Sequence, residues 1–170
     1  MEKSLKTVEE VREAVRKTNK NFKRAEITSG IIFLIGMLGV STAVVASMFE
    51  IRKGNDVLED FKTSEVYQTE ISAQTNEAME KYGQDPALLS KELDRITSHQ
   101  NTEEILKSTS TPYTFSYQAH DENAKNWLIT AGAMSLLAFG ALTTFSIVGS
   151  SLLNKKIDYS AQLEEMEKEN

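Results

Sequence analysis

The stretch ITSGIIFLIGMLGVSTAVVASMF, residues 27–49, decides the fold class. It lies between Glu26 and Glu50 without a single charge, and fifteen of its 23 residues are hydrophobic. As an α-helix at about 1.5 Å per residue it extends roughly 34 Å. That crosses a hydrocarbon core about 30 Å thick with a modest tilt. A helix of a soluble core rarely goes so far without a polar face. A secretory signal is the rival reading, because Val44-Val45-Ala46 followed by Ser47 resembles a small-residue cleavage site. The basic segment ahead of it is 26 residues long. The apolar run also exceeds the roughly 7–15 residues of a signal core, so an uncleaved anchor is expected.

A second uncharged run, residues 126–154, separates Lys125 from Lys155; seventeen of its 29 residues are hydrophobic. Trp127 stands at its start, where an amphipathic ring suits the membrane–water interface. The expectation is an all-α integral membrane protein with two transmembrane helices, residues 27–49 and 126–154. An extracytoplasmic acidic helical hairpin, residues 50–125, lies between them. A basic amphipathic helix, residues 1–26, and an acidic helical tail, residues 155–170, form the cytoplasmic ends.

Charge sets the orientation. The whole chain of 170 residues carries a net charge of −6. The three polar pieces carry +3 (residues 1–26), −7 (residues 50–125) and −2 (residues 155–170). Topology follows the Lys and Arg nearest the spans. Arg12, Arg16, Lys17, Lys20, Lys23 and Arg24 precede the first, and Lys155 and Lys156 follow the second. Arg52, Lys53, Lys62 and Lys125 flank the loop. Both termini are therefore expected in the cytoplasm. With no cysteine and no Asn-x-Ser/Thr sequon, a bacterial inner membrane is the expected location.

The polar pieces read as helices. Thr7-Val8-Glu9-Glu10 is a capping box. Val8, Val11, Val15 and Phe22 then form a stripe, with Thr18 between the last two. The helix could lie on anionic lipid through its basic residues, pair with another copy through this stripe, or simply be a solvated extension of the first span. Gly54 is placed to end the emerging helix and Asn55 to cap the next. A heptad-like register then runs Val57, Phe61, Ser64, Gln68, Ile71, Thr75, Ala78, Tyr82. Its polar members suit a helix packed on something else better than a free coiled coil. Gly83 ends that helix, Asp85 caps the next, and Pro86 takes its first position. A break is expected near Ser98, with Asn101-x-x-Glu104 reopening the helix. Tyr113, Phe115 and Tyr117 alternate with hydroxyl residues, which predicts an extended piece whose rings pack on the hairpin or join the interface belt. Asp121 reads as the cap of the second span and His120 as a solvated neighbour. Tyr159, Leu163 and Met166 stripe the tail, which could pair with the basic N-terminal helix.

Neither span carries an ionisable residue, and proton relays, ion-coupled carriers and voltage sensors need them there. The spans do carry small residues at packing spacing: Gly39, Ala43 and Ser47 in the first, Gly140 and Thr144 in the second. Such residues allow close helix approach in lipid. Thr143, Ser146 and Ser150 form a polar edge that could line a pore, although such hydroxyls usually bond back to their own helix. No phosphate-binding glycine loop, zinc-protease helix, EF-hand or nucleophile elbow occurs. No cofactor, metal or catalytic site is expected. The negative charge argues against nucleic acid. The sequence therefore points away from enzymes. It points to a structural or assembly subunit that meets lipid and further membrane proteins or copies of itself. A small homo-oligomeric channel and a dimeric sensor with outer hairpins are the alternatives.

Overall fold

The computed structural model describes residues 7–168, and 93% of them are helical, with no strand among them. Residues 1–6 of the expected N-terminal piece and residues 169–170 of the expected tail lie outside the described residues. In chain order the helices are α1 (Val8–Lys62), α2 (Glu65–Tyr82), α3 (Pro86–Ile96), α4 (His99–Ser108) and α5 (Pro112–Lys168). Two of them, α1 and α5, contain stretches long and apolar enough to cross a membrane. Only 17% of each such stretch is buried inside the chain. A soluble core helix would hide that surface, so its exposure fits an apolar surrounding.

The chain divides into two compact units, Met1–Thr42 with Thr130–Asn170, and Ala43–Ile129. In the first, the start of α1 is fixed by the expected capping box. The Thr7 N–H donates to Glu10 Oε2 and the Glu10 N–H to Thr7 Oγ1, both at 3.2 Å. These bonds satisfy two of the orphan donors of a helix N-terminus.

The second unit holds the three short helices and the parts of α1 and α5 that flank them. Its core is Leu58 and Phe61 from α1, Tyr67 from α2, and Ile105 and Leu106 from α4, all nearly inaccessible to solvent. Ile71 from α2 and Tyr113 and Tyr117 from α5 pack against it. The Phe61 ring meets Tyr67 edge-on at 5.5 Å and Tyr113 at 5.8 Å. The turn between α2 and α3 follows the sequence reading. The Gly83 N–H closes on the Met79 carbonyl, Asp85 Oδ1 accepts from the Ala87 and Leu88 N–H groups, and Pro86 opens α3.

Several local expectations are corrected. Gly54 does not end α1, and Asn55 caps nothing: the helix continues to Lys62. Burial of Leu58 and Phe61 outweighs the weak helix-stopping tendency of one glycine. The heptad-like register breaks at Ser64, whose hydroxyl caps α2 by accepting from the Tyr67 N–H. The chain turns there while keeping Phe61 and Ala78 buried. The break near Ser98 is present, but Ser98 itself caps α4, accepting from the Asn101 N–H, and Asn101 is inside the helix.

Pro112–Tyr117 is not extended; it is the first turn and a half of α5. Thr111 Oγ1 accepts from the Thr114 N–H at 3.3 Å, and Pro112 sits directly after it, where its missing N–H costs nothing. Thr114 is buried; its hydroxyl lies 3.0 Å from the Leu106 carbonyl and 2.8 Å from that of Thr109. Asp121 is accordingly interior to α5 and caps no helix; it pairs with Lys125 at 2.6 Å.

Candidate functional site

Three surfaces offer function: the seam between α1 and α5 in the first unit, the N-terminal part of α1 in that unit, and the junction of α1 with α5 in the second unit.

The seam is built on close approach. A Cβ placed on Gly36 would stand 2.8 Å from the Ala138 Cβ and 3.0 Å from the Met134 carbonyl oxygen. Only glycine fits there without moving backbone. At Gly39 the corresponding neighbours are Met134 Cγ at 2.8 Å and Sδ at 2.9 Å, a side chain that can move. Ala138 and Ala141 complete the buried wall on α5. Farther along, Phe22 meets Phe145 with ring centroids 5.9 Å apart. Positions rising along α1 meet positions falling along α5, so the helices are antiparallel in this unit.

The sequence singled out Gly39 but not Gly36 or the alanines of α5. The signal was present as Gly36 three residues before Gly39, and as Ala124, Ala131 and Ala138 seven residues apart. Alanine is too common in helices for that spacing to stand out.

Gly140 and Thr144 are placed elsewhere. A Cβ on Gly140 meets nothing within 4 Å, and both residues are exposed in the single chain. With Thr28 and Ile32 of α1 and Leu136 of α5 they line an open groove of about 460 Å³. Thr143, Ser146 and Ser150 are also exposed. The Thr143 hydroxyl donates to the Phe139 carbonyl at 2.9 Å and that of Ser150 to Ser146 at 2.7 Å. Those hydroxyls are thus occupied by their own helix. In the second unit Ala43 and Ser47 are buried, and Ser47 Oγ has no hydrogen-bond partner.

The N-terminal part of α1 carries the Val8, Val11, Val15, Phe22 stripe. Val11 is fully buried, and Val8, Val15 and Phe22 are half-buried. Thr18 is buried among them. Arg12, Arg16, Lys17, Lys20, Lys23 and Arg24 all point outward. Arg12 reaches Glu167 of the tail at 2.7 Å, the described contact between the basic helix and the acidic tail. Both side chains are about half exposed, so the pair adds little stability, about 0–1 kcal/mol.

The junction of the second unit joins α1 to α5. His120 Nδ1 lies 2.7 Å from Glu50 Oε2. An ionised carboxylate only accepts, so Nδ1 carries the proton of this bond. His120 is therefore paired, not the solvated residue the sequence suggested. The hydrogen bond from His120 outweighs partial burial and holds the Glu50 carboxyl below its ordinary value, with Lys53 and Asn123 acting in the same direction. Gly54 lies one turn on, and a Cβ there would be 3.6 Å from the Tyr117 ring and 3.8 Å from His120 Cβ. Burial, then the hydrogen bond to Glu103, pushes the Tyr117 phenol up to about 12. The Lys107 ammonium in turn holds the Glu103 carboxyl below its usual range.

No group of three or more His, Cys, Asp or Glu side chains is placed to hold a metal among the described residues. No family model matches the chain, and no curated protein or solved structure shows significant similarity to it. Its functional reading rests on its own geometry.

Proposed function

We propose that the chain is a non-enzymatic two-span membrane protein serving as a structural or assembly subunit of a membrane complex. Residues 27–49 and 126–154 cross a bacterial inner membrane. Both termini face the cytoplasm and residues 50–125 lie outside. The observation that carries this reading is the aromatic and aliphatic core of the second unit. Leu58 and Phe61 of α1 and Tyr113 and Tyr117 of α5 are gathered with Tyr67, Ile105 and Leu106 into one cluster. Within this unit α2 and α4 are thereby fastened to α1 and α5, which suits a scaffold. Val66 and Met79 on α2 and Leu88 on α3 remain exposed, leaving the outer helices apolar surface for a protein partner.

The test is the protein mass of the particle extracted in mild detergent, by light scattering with the detergent contribution subtracted. A homo-oligomer or a stoichiometric co-purifying membrane protein supports the subunit reading. A lone monomer that binds no other membrane protein after gentle extraction sinks it. The channel alternative makes a separate demand. If Thr143, Ser146 and Ser150 lined a pore, Ser146→Leu would abolish conductance in planar bilayers. The back-bonded Thr143 and Ser150 hydroxyls favour the scaffold over that alternative.

A further inference from the structure

We propose that the groove beside Gly140 is a binding site for one anionic phospholipid of the cytoplasmic leaflet, with an acyl chain along the groove and the phosphate at Lys17 and Arg24. This rests on the membrane reading above and adds to it a specific ligand.

The groove has the dimensions of an acyl chain in one leaflet. On α5 it runs from Val148 to Leu136. Twelve helical steps span about 18 Å, against roughly 15 Å for half a hydrocarbon core. Its wall is apolar: the Ser29 hydroxyl turns back to the Ala25 carbonyl at 2.8 Å, and Ile32, Leu136 and Ala141 supply hydrocarbon. Gly140 sits in it with open space where a side chain would be.

The groove is also polarised. The antiparallel register set by Gly36 against Ala138 and Phe22 against Phe145 places its Ala25–Val148 end toward the basic helix and its Ile32–Leu136 end deeper. Thr28 lines it one turn in from Ala25. Arg24, Asn21 and Lys17 precede Thr28 by four, seven and eleven residues, so the four share one helical face. All three are exposed. A chain lying in the groove thus emerges beside two cations and an amide, which suits a phosphate diester. A second copy of this protein would bring its own Lys17 and Arg24 to the same place if it docked through the same face, and like charges would repel. Charge complementarity therefore selects the anionic lipid.

The experiment uses the full chain in detergent and in nanodiscs, with native mass spectrometry counting bound lipid. Phosphatidylglycerol is compared with phosphatidylcholine of the same chains. Each basic side chain near a membrane surface contributes about fivefold in affinity, so the wild type should prefer the anionic lipid about 25-fold. Lys17→Gln with Arg24→Gln should bring the ratio close to one while helix content stays unchanged. Gly140→Leu should expel both lipids, because its side chain occupies the groove and meets no existing neighbour. Equal binding of the two lipids by the wild type overturns the proposal. So does an unchanged preference in the double variant, or lipid retention by a folded Gly140→Leu protein. Displacement by excess glycerol phosphate alone would show a free phosphate site, and a dimer without groove lipid would show a second copy; either overturns it too. Recovery of the protein in the carbonate-soluble fraction without detergent would instead sink the membrane reading itself.

Discussion

Glu50 and His120 show how one contact can convert local chemistry into a measurable dependence on pH. The Glu50 carboxyl titrates below its ordinary value of 4.5 because the ionised form accepts from His120 Nδ1, with Lys53 nearby. A depressed carboxyl stabilises the folded chain above its unfolded value, and that contribution disappears as pH falls through the folded value. The wild-type chain should therefore lose stability as pH is lowered below 4.5. Glu50→Gln should flatten that part of the curve, as followed by denaturant unfolding in detergent between neutral and acid pH. Identical slopes for the two proteins would show that the pair is not coupled to folding. Gly54 supports a second expectation at the same junction. It is inside α1, and an added Cβ would make only ordinary contact with Tyr117 at 3.6 Å. Gly54→Ala should raise stability by about 0.5–1 kcal/mol through reduced backbone entropy of the unfolded chain, read as a higher unfolding midpoint. A loss of that size would mean that the junction needs the space. Neither feature was legible in the sequence. Glu50 and His120 are 70 residues apart, and only the pairing of α1 with α5 brings them together. Gly54 resembled a helix stop because the burial of Leu58 and Phe61 is a tertiary fact.

Helix ends are legible wherever the capping chemistry is local. The Thr7 capping box and the Gly83–Asp85–Pro86 restart were legible because cap chemistry is local: a side-chain oxygen, a short spacing and a proline at the first position. Thr111–Pro112 carries the same kind of signature as Asp85–Pro86, but the alternation of Tyr113, Phe115 and Tyr117 imitates an extended segment. Three aromatics at period two also fit a helix when two of them bury on one side and the third faces out. Here Tyr113 and Tyr117 pack on the core while Phe115 is 66% exposed. Four residues separate the packed pair, the spacing of one helical face. The seam between α1 and α5 makes a prediction of its own. Gly36→Leu should disrupt it, at a cost of about 1–3 kcal/mol or more, because a Cβ there meets Ala138 and backbone. Gly132→Leu, where a Cβ meets nothing within 4 Å, should leave it intact. Thermal unfolding of both variants in the same detergent separates the cases. Equal midpoints for the two variants would show that the seam does not govern stability.

For the molecule as a whole, the sequence supplied the two long apolar helices directly, since absence of charge over 23 residues is a property no tertiary contact can create. For orientation it carries only a signal, the uneven placement of Lys and Arg. The chain contains no cysteine, so single cysteines report on topology without background. Gln84 lies in the turn between α2 and α3, and Ser160 lies on the distal part of α5; both are exposed. With Arg16, Lys17, Lys20, Lys23 and Arg24 ahead of the first span and Lys155 and Lys156 after the second, the basic flanks should stay on the cytoplasmic side. Gln84→Cys should then react with a membrane-impermeant maleimide in intact spheroplasts, and Ser160→Cys only after lysis. The reverse pattern would place the acidic piece inside, and would move the phosphate site at Lys17 and Arg24 to the outer leaflet. Reaction of both before lysis would be incompatible with any two-span topology, since an odd number of crossings separates these two positions. Arg52 and Lys53 follow the first span directly and favour the inverted orientation. The expected outcome therefore depends on a majority of basic residues, and reversing Arg16, Lys17, Lys20, Lys23 and Arg24 to Glu together should weaken or invert the labelling pattern.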